Sequence, residues 1–231
     1  MFLKDIILRH PWPLYKPRFL RQDFINDIFS PYFYNRLQRR KDTFLEVFKR
    51  LQDKPEKTFK ILETGTARGG MLKIEGDGAS SLLFDIFLQY YDGRLISIDI
   101  DGKACDQVRK WVSKKSRVVT SDSYTALVDF KDQYDFIYLD SMDIHWQTPE
   151  KSALHHLREF QIIEPFLPIG GLLLIDDSPV SEALLKSVTS FQGTIPWPNG
   201  KGYLVLDHIK HKSNFRILRH DYQCLLEKIK S

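Results

Sequence analysis

The chain has 231 residues, 42% of them hydrophobic, and a formal net charge of +4. That suits one α/β domain with its own core. With no long Lys/Arg run, nucleic acid is not expected as a main partner. Cys105 and Cys224 lack metal-site spacing and are too few for a disulfide framework, which points to a reducing cytoplasm. The charged start, Met1-Phe2-Leu3-Lys4-Asp5, does not read as a signal peptide, and no stretch approaches membrane-spanning length. A soluble cytoplasmic protein without a membrane partner is expected.

Residues 1–57 form a distinct segment, rich in aromatics (Phe24, Phe29, Tyr32, Phe33, Tyr34) and broken by Pro11, Pro13, Pro17 and Pro31. The prolines forbid one continuous helix, so short helices joined by turns are expected, the best of them over 36–51. The segment reads as a lid over a pocket, a homodimer contact, or an extra layer packed on the core. Its basic run Arg39-Arg40-Lys41 reads as a solvated helix end.

From residue 58 onward, strands at 59–62, 95–98 and 117–119 and runs ending at Leu139 and Ile175 alternate with helical patterns at 79–91, 102–115, 123–130 and 149–167. This alternation predicts βαβ units in a doubly wound, mainly parallel sheet. The tail carries three apolar runs, 202–206, 214–218 and 222–226. No helix fits between the last two, so the sheet is expected to close with an antiparallel hairpin.

Carboxylates punctuate this sheet. Asp140 ends one fully apolar run, and Asp176-Asp177 end another. Acids at the carboxyl ends of buried parallel strands lie on the rim where such sheets bind ligands. Three that converge there repel one another unless a positive group joins them, and a hard divalent cation with oxygen ligands is the simplest candidate. Asp177 or Ser178 as caps of the next helix is the alternative. The turn Glu63-Thr64-Gly65-Thr66-Ala67-Arg68-Gly69-Gly70 follows the first strand, where glycine lets the backbone approach a ligand. Asp99 ends the second strand and can accept hydrogen bonds from both hydroxyls of a ribose.

The series Glu63-x-Gly65-x-x-x-Gly69, Asp99, 134–140 and 168–177 resembles the class I S-adenosylmethionine-dependent methyltransferases, from about residue 58 to the end. The resemblance implies a Rossmann-like fold of seven strands. It also implies S-adenosylmethionine held by Glu63, Gly65, Thr66, Gly69 and Asp99, by Asp122 and Ser123 near adenine, and by Asp140 beside them. Asp140, Asp176 and Asp177 are similar to the ligand set of the metal-dependent O-methyltransferases, which implies a divalent cation: Mg²⁺ first, with Ca²⁺ or Mn²⁺ as alternatives. The lysine that catechol-type members carry three residues after the first metal aspartate is Asp143 here, leaving Asp143 or His145 as the candidate base. An insertion over 71–81 departs from the family pattern, with Asp77 or Ser80 as an expected helix cap. His155 and His156 open the next helix, and Trp146 and Trp197 are candidate pocket walls.

The expected function is metal-assisted O-methylation of a small-molecule hydroxyl, on a sugar or natural product. A non-catalytic cofactor-binding partner or regulatory module is the second reading, and a metal-dependent hydrolase or nucleotide-sugar enzyme the third.

Overall fold

In the computed structural model of the protein, residues 23–68, 74–189 and 194–231 are described. Seven strands form one sheet: β1 (Thr58–Thr64), β2 (Asp92–Asp99), β3 (Ser116–Thr120), β4 (Phe136–Leu139), β5 (Leu172–Ile175), β6 (Phe215–His220) and β7 (Cys224–Lys228), in spatial order β3-β2-β1-β4-β5-β7-β6. The first five pair in parallel, and β7 runs antiparallel to both β5 and β6. The doubly wound sheet with its terminal hairpin is therefore as expected.

Every residue of β4 and β5 is buried, and the two-residue period sorts their side chains between two different layers. Phe136, Tyr138, Leu172 and Leu174 join one apolar layer, which includes Phe24, Phe44, Phe48, Phe84 and Phe87. Ile137, Leu139, Leu173 and Ile175 join the other, with Phe160, Ile163 and Val205.

The first layer is built from the amino-terminal segment. A π-helical stretch (Ile25–Tyr34, with Pro31 inside it) and a 3-10 turn (Gln38–Arg40) lead into helix α1 (Lys41–Asp53). Phe24 packs edge-on to Phe87 with ring centroids 5.2 Å apart, and Phe44 lies 5.7 Å from Tyr138. Such aromatic pairs add to the burial they accompany. Of the three expectations for this segment, the packed layer is what residues 23–53 form; Pro11, Pro13 and Pro17 fall outside the described residues.

The remaining helices are α2 (Ile74–Asp77), α3 (Ser80–Tyr90), α4 (Gly102–Arg109), α5 (Ser123–Leu127), α6 (Glu150–Ile163), α7 (Glu182–Val188) and α8 (Tyr203–Ile209). Several are shorter than their sequence patterns, because apolar spacing persists past the last hydrogen-bonded turn. Two expectations are corrected. The 202–206 run, grouped with the strand-like runs of the tail, is the start of α8, which buries Val205 and Ile209 four residues apart. A five-residue apolar run does not by itself distinguish the two states. Ser80 does not cap α3, whose preceding residue is Ala79 with φ +47°. Among the described residues no helix is long and apolar enough to cross a membrane.

Candidate active site

Strand register decides where the acids fall. Thr64 is level with Ile98 on one side and Leu139 on the other, and Leu139 is level with Ile175. The next residue of each strand is therefore Asp99, Gly65, Asp140 or Asp176, in one row along the carboxyl edge. The row straddles the point between β1 and β4 where strand order reverses, the crevice that open α/β sheets use for ligands.

The turn after β1 is drawn tight. Gly65 has φ +84°, and a Cβ there would lie 2.2 Å from the Asp140 carbonyl oxygen, so no side chain fits. Its N–H donates to the Ile98 carbonyl at 2.8 Å, and the Asp140 N–H donates to the Thr64 carbonyl at 2.8 Å. Glu63 is fully buried beneath this turn and accepts from Ser80, Ser81 and Ser97 hydroxyls. It organises the turn and does not line the crevice.

Asp99 is aimed by two backbone donors, the N–H of Thr66 at 2.9 Å and of Asp101 at 2.8 Å. Each carboxylate oxygen keeps acceptor capacity beyond that bond. Asp99 forms part of a cavity of about 300 Å³ whose walls include Ser121, Asp122, Ser123, Met142 and His155. Asp122 caps α5 through the Thr125 N–H at 3.0 Å. His155 Nε2 lies 3.2 Å from both Ser123 Oγ and Glu159 Oε1, and the buried Glu159 also accepts from Thr64 Oγ1 at 3.1 Å. Glu159 thus ties α6 to the end of β1 and orients a wall of the cavity. A carboxylate with free lone pairs and a serine-flanked cavity suit a nucleoside with its ribose on Asp99. Asp122 and Ser123 line this cavity, Gly65 and Thr66 belong to the turn that follows β1, Glu63 is buried beneath that turn, and Gly69 lies outside the described residues.

The second cluster lies beyond Gly65. Ligand atoms of Asp140, Asp176 and Asp177 fall within 4.8 Å of one another, so the three acids do converge. The expected oxygen-only donor set is present, but the chain has already filled it. Lys201 Nζ bonds Asp140 Oδ1 and lies 3.2 Å from Asp177 Oδ2. Arg40 Nε donates to Asp176 at 3.0 and 2.8 Å, with Gln223 Nε2 donating at 2.9 Å. Tyr222 donates to Asp177 Oδ1, and Tyr138 donates to Asp140 Oδ2 at 3.3 Å. All six carboxylate oxygens have a partner. A divalent ion does not fit this arrangement unless Lys201 leaves it. Burial works against a charged amine, yet Asp140, Asp177 and Asp176 outweigh it and hold Lys201 above the ordinary lysine value. Burial likewise opposes ionisation of Asp176, and Arg40 overcomes that to hold its carboxyl well below the usual range.

Neither Lys201 nor Arg40 was singled out in the sequence. Arg40 corrects the reading of Arg39-Arg40-Lys41 as a solvated helix end: its side chain is only 14% exposed. For Lys201 the available signal was its place between Gly200 and Gly202. The helix-cap alternative for Asp177 and Ser178 is also set aside, because α7 is capped by Ser181 through the Leu184 N–H at 3.2 Å.

The two candidate bases lie on the rim. The Arg68 guanidinium, bonded to Asp143 at 2.8 Å, holds its carboxyl below the usual carboxylate range. Asp143 therefore carries a committed negative charge, which gives it little appetite for a proton. His145 is exposed and borders a hollow with Thr148 and Lys151 that shares Met142 and Asp143 with the Asp99 cavity. His156 is buried, and its Nδ1–H donates to the Ser152 carbonyl at 2.7 Å. Trp197 lines a larger cavity of about 430 Å³ with Ser178, Asn199 and Tyr203, while the Trp146 carbonyl accepts from Asn199 at 2.7 Å.

No protein-family model and no curated protein sequence matches the chain. Solved structures do. MycE methyltransferase from the mycinamycin biosynthetic pathway, in complex with Mg, SAH and mycinamycin VI, superposes at TM-score 0.59 with 18% identity, over 91% of this chain and 56% of that one. The O-methyltransferase from Bacillus cereus in complex with SAH gives TM-score 0.55 at 13% identity, over 90% and 96% of the two chains. This chain has the class I methyltransferase fold. The SAH-bound Podospora anserina methyltransferase PaMTH1 agrees, at TM-score 0.55 and 15% identity over 85% and 81%. The chain spans little more than half the length of MycE. Within this methyltransferase fold, the row from Asp99 to Asp176 stands at the carboxyl edge of the sheet.

Proposed function

We propose that this protein is an S-adenosylmethionine-dependent methyltransferase acting on a hydroxyl of a small molecule, a sugar or natural product. The observation that carries the reading is Asp99, fixed by the Thr66 and Asp101 amides at the wall of a cavity beside the Gly65 turn. Neighbours of the same fold crystallised with SAH support it. S-adenosylmethionine, when bound, supplies an electrophilic methyl group on a sulfonium. Asp99 would accept from its ribose hydroxyls, Ser121–Ser123 and His155 would flank its base, and the Gly65 turn would leave room for its amino-acid end. The chain's contribution is then largely to position the acceptor oxygen and exclude water.

Divalent-metal assistance, expected from the three aspartates, would require a cation to displace Lys201 from Asp140 and Asp177. The complete pairing of the six oxygens favours a reading without that ion.

Calorimetry with S-adenosylhomocysteine tests the proposal. Wild-type protein should bind it, and Asp99→Asn should weaken binding about 10- to 100-fold, the worth of hydrogen bonds to a charged group. Absence of wild-type binding at millimolar ligand would refute the proposal.

A further inference from the structure

The acidic row poses a charge problem that the chain solves by itself. Three aspartates end two adjacent strands, and two of them, Asp140 and Asp177, converge on a single ammonium, that of Lys201, whose side chain is only 1% exposed. The loop that carries it is built to reach them. Gly200 has φ +113°, and a Cβ there would lie 2.7 Å from the Asp177 carbonyl oxygen. The Lys201 N–H donates to that same carbonyl at 2.8 Å. The Gly202 N–H donates to Ser178 Oγ at 2.9 Å, and Ser178 Oγ in turn donates to the Asp176 carbonyl at 2.8 Å. Asp177 itself adopts φ +42°, a left-handed conformation uncommon outside glycine. Backbone and side chain of residues 200–202 thus clamp the turn that ends β5.

We infer that Lys201 is the protein's own cation, a positioning residue standing where the three aspartates would otherwise hold a divalent metal, and that the site works without one. Arg40 completes the device by forking Asp176 at 2.8 Å. A tethered ammonium pays no entropy of capture from solution, whereas a metal must first break the Lys201 pairs and leave a buried amine without partners. The inference rests on the methyltransferase reading for its chemical consequence. A metal-bound site holds two neighbouring oxygens of an acceptor as chelating ligands. Here no coordination position is open, and Asp140, whose side chain is 21% exposed, is left to accept from one hydroxyl. Acceptors would therefore be single alcohols or phenols rather than obligate vicinal diols.

Mn²⁺ binding to the 231-residue chain, followed by electron paramagnetic resonance, tests the device without any acceptor. Wild-type protein should leave the free-ion spectrum unchanged at submillimolar Mn²⁺. Lys201→Met removes the ammonium while keeping much of the packing, and should gain a site that is lost again in Lys201→Met with Asp140→Asn. Binding of Mn²⁺ by wild-type protein, abolished by Asp140→Asn alone, would overturn the inference whether or not the lysine variant folds. So would a folded Lys201→Met protein that takes up no ion. S-adenosylhomocysteine affinity, measured in parallel, should be the same with EDTA or with Mg²⁺. A requirement for Mg²⁺ would also overturn the inference, whereas failure to bind the nucleoside at all would remove the methyltransferase reading and leave the Mn²⁺ result standing.

Discussion

Gly65→Ala is the sharpest perturbation of the strand edge. The new methyl carbon would lie 2.2 Å from the Asp140 carbonyl oxygen, 2.5 Å from its carbon and 2.9 Å from the Ser141 Cα. All three are backbone atoms, so no rotamer change relieves the clash. The strands cannot easily part either, because the Asp140 amide is bonded to the Thr64 carbonyl at 2.8 Å across this gap, while the Gly65 amide ties the turn to β2 through the Ile98 carbonyl at 2.8 Å. An L-residue at φ +84° adds about 1–2 kcal/mol of conformational cost, and forcing atoms into a packed interior costs about 1–3 kcal/mol. A loss of about 2–5 kcal/mol is expected, a large share of a typical domain's stability. Urea unfolding followed by fluorescence measures it, and S-adenosylhomocysteine binding should fall with it because the turn shapes the cavity. A variant within about 0.5 kcal/mol of wild type, the range of an ordinary surface substitution, would refute the close approach of β1 and β4.

Two further outcomes follow from burial. Burial pushes His156 down from its ordinary 6.5 to about 4, so the unfolded chain takes up a proton that the folded one refuses; stability present above pH 6.5 should drain away between about pH 6.5 and 4, by about 3 kcal/mol. His156→Gln should flatten that slope in urea titrations, and an unchanged slope would place the acid sensitivity elsewhere. Phe48→Ala removes a fully buried ring that meets Phe24 at 4.9 Å and Phe87 at 5.2 Å, and should cost about 3–5 kcal/mol in the same assay; a loss below about 1 kcal/mol would mean that the amino-terminal layer is not part of the cooperative core.

The strand edge was legible because its signals are local. Four-residue apolar runs ending in Asp140 and Asp176, and a glycine after β1, place these residues along the carboxyl edge through register alone. What was illegible is which charges meet. Arg40 reaches Asp176 across 136 residues and Lys201 reaches Asp140 across 61, and beyond the two glycines flanking Lys201 nothing in either local pattern separates a buried ion pair from a solvated one. The same holds for Glu63, whose three serine partners come from α3 and β2 and fix it beneath the turn. The α8 helix was hidden for a different reason: a short apolar run carries no period until its neighbours show which face is buried.

The central claim is that the crevice above β1, β2 and β4 receives S-adenosylmethionine. A crystal structure of the protein grown with S-adenosylhomocysteine measures that directly. Ribose hydroxyls on the Asp99 carboxylate and adenine between the 121–123 turn and His155 are the predicted result. Nucleoside density in the cavity beside Trp197, or density anywhere away from Asp99, would contradict it.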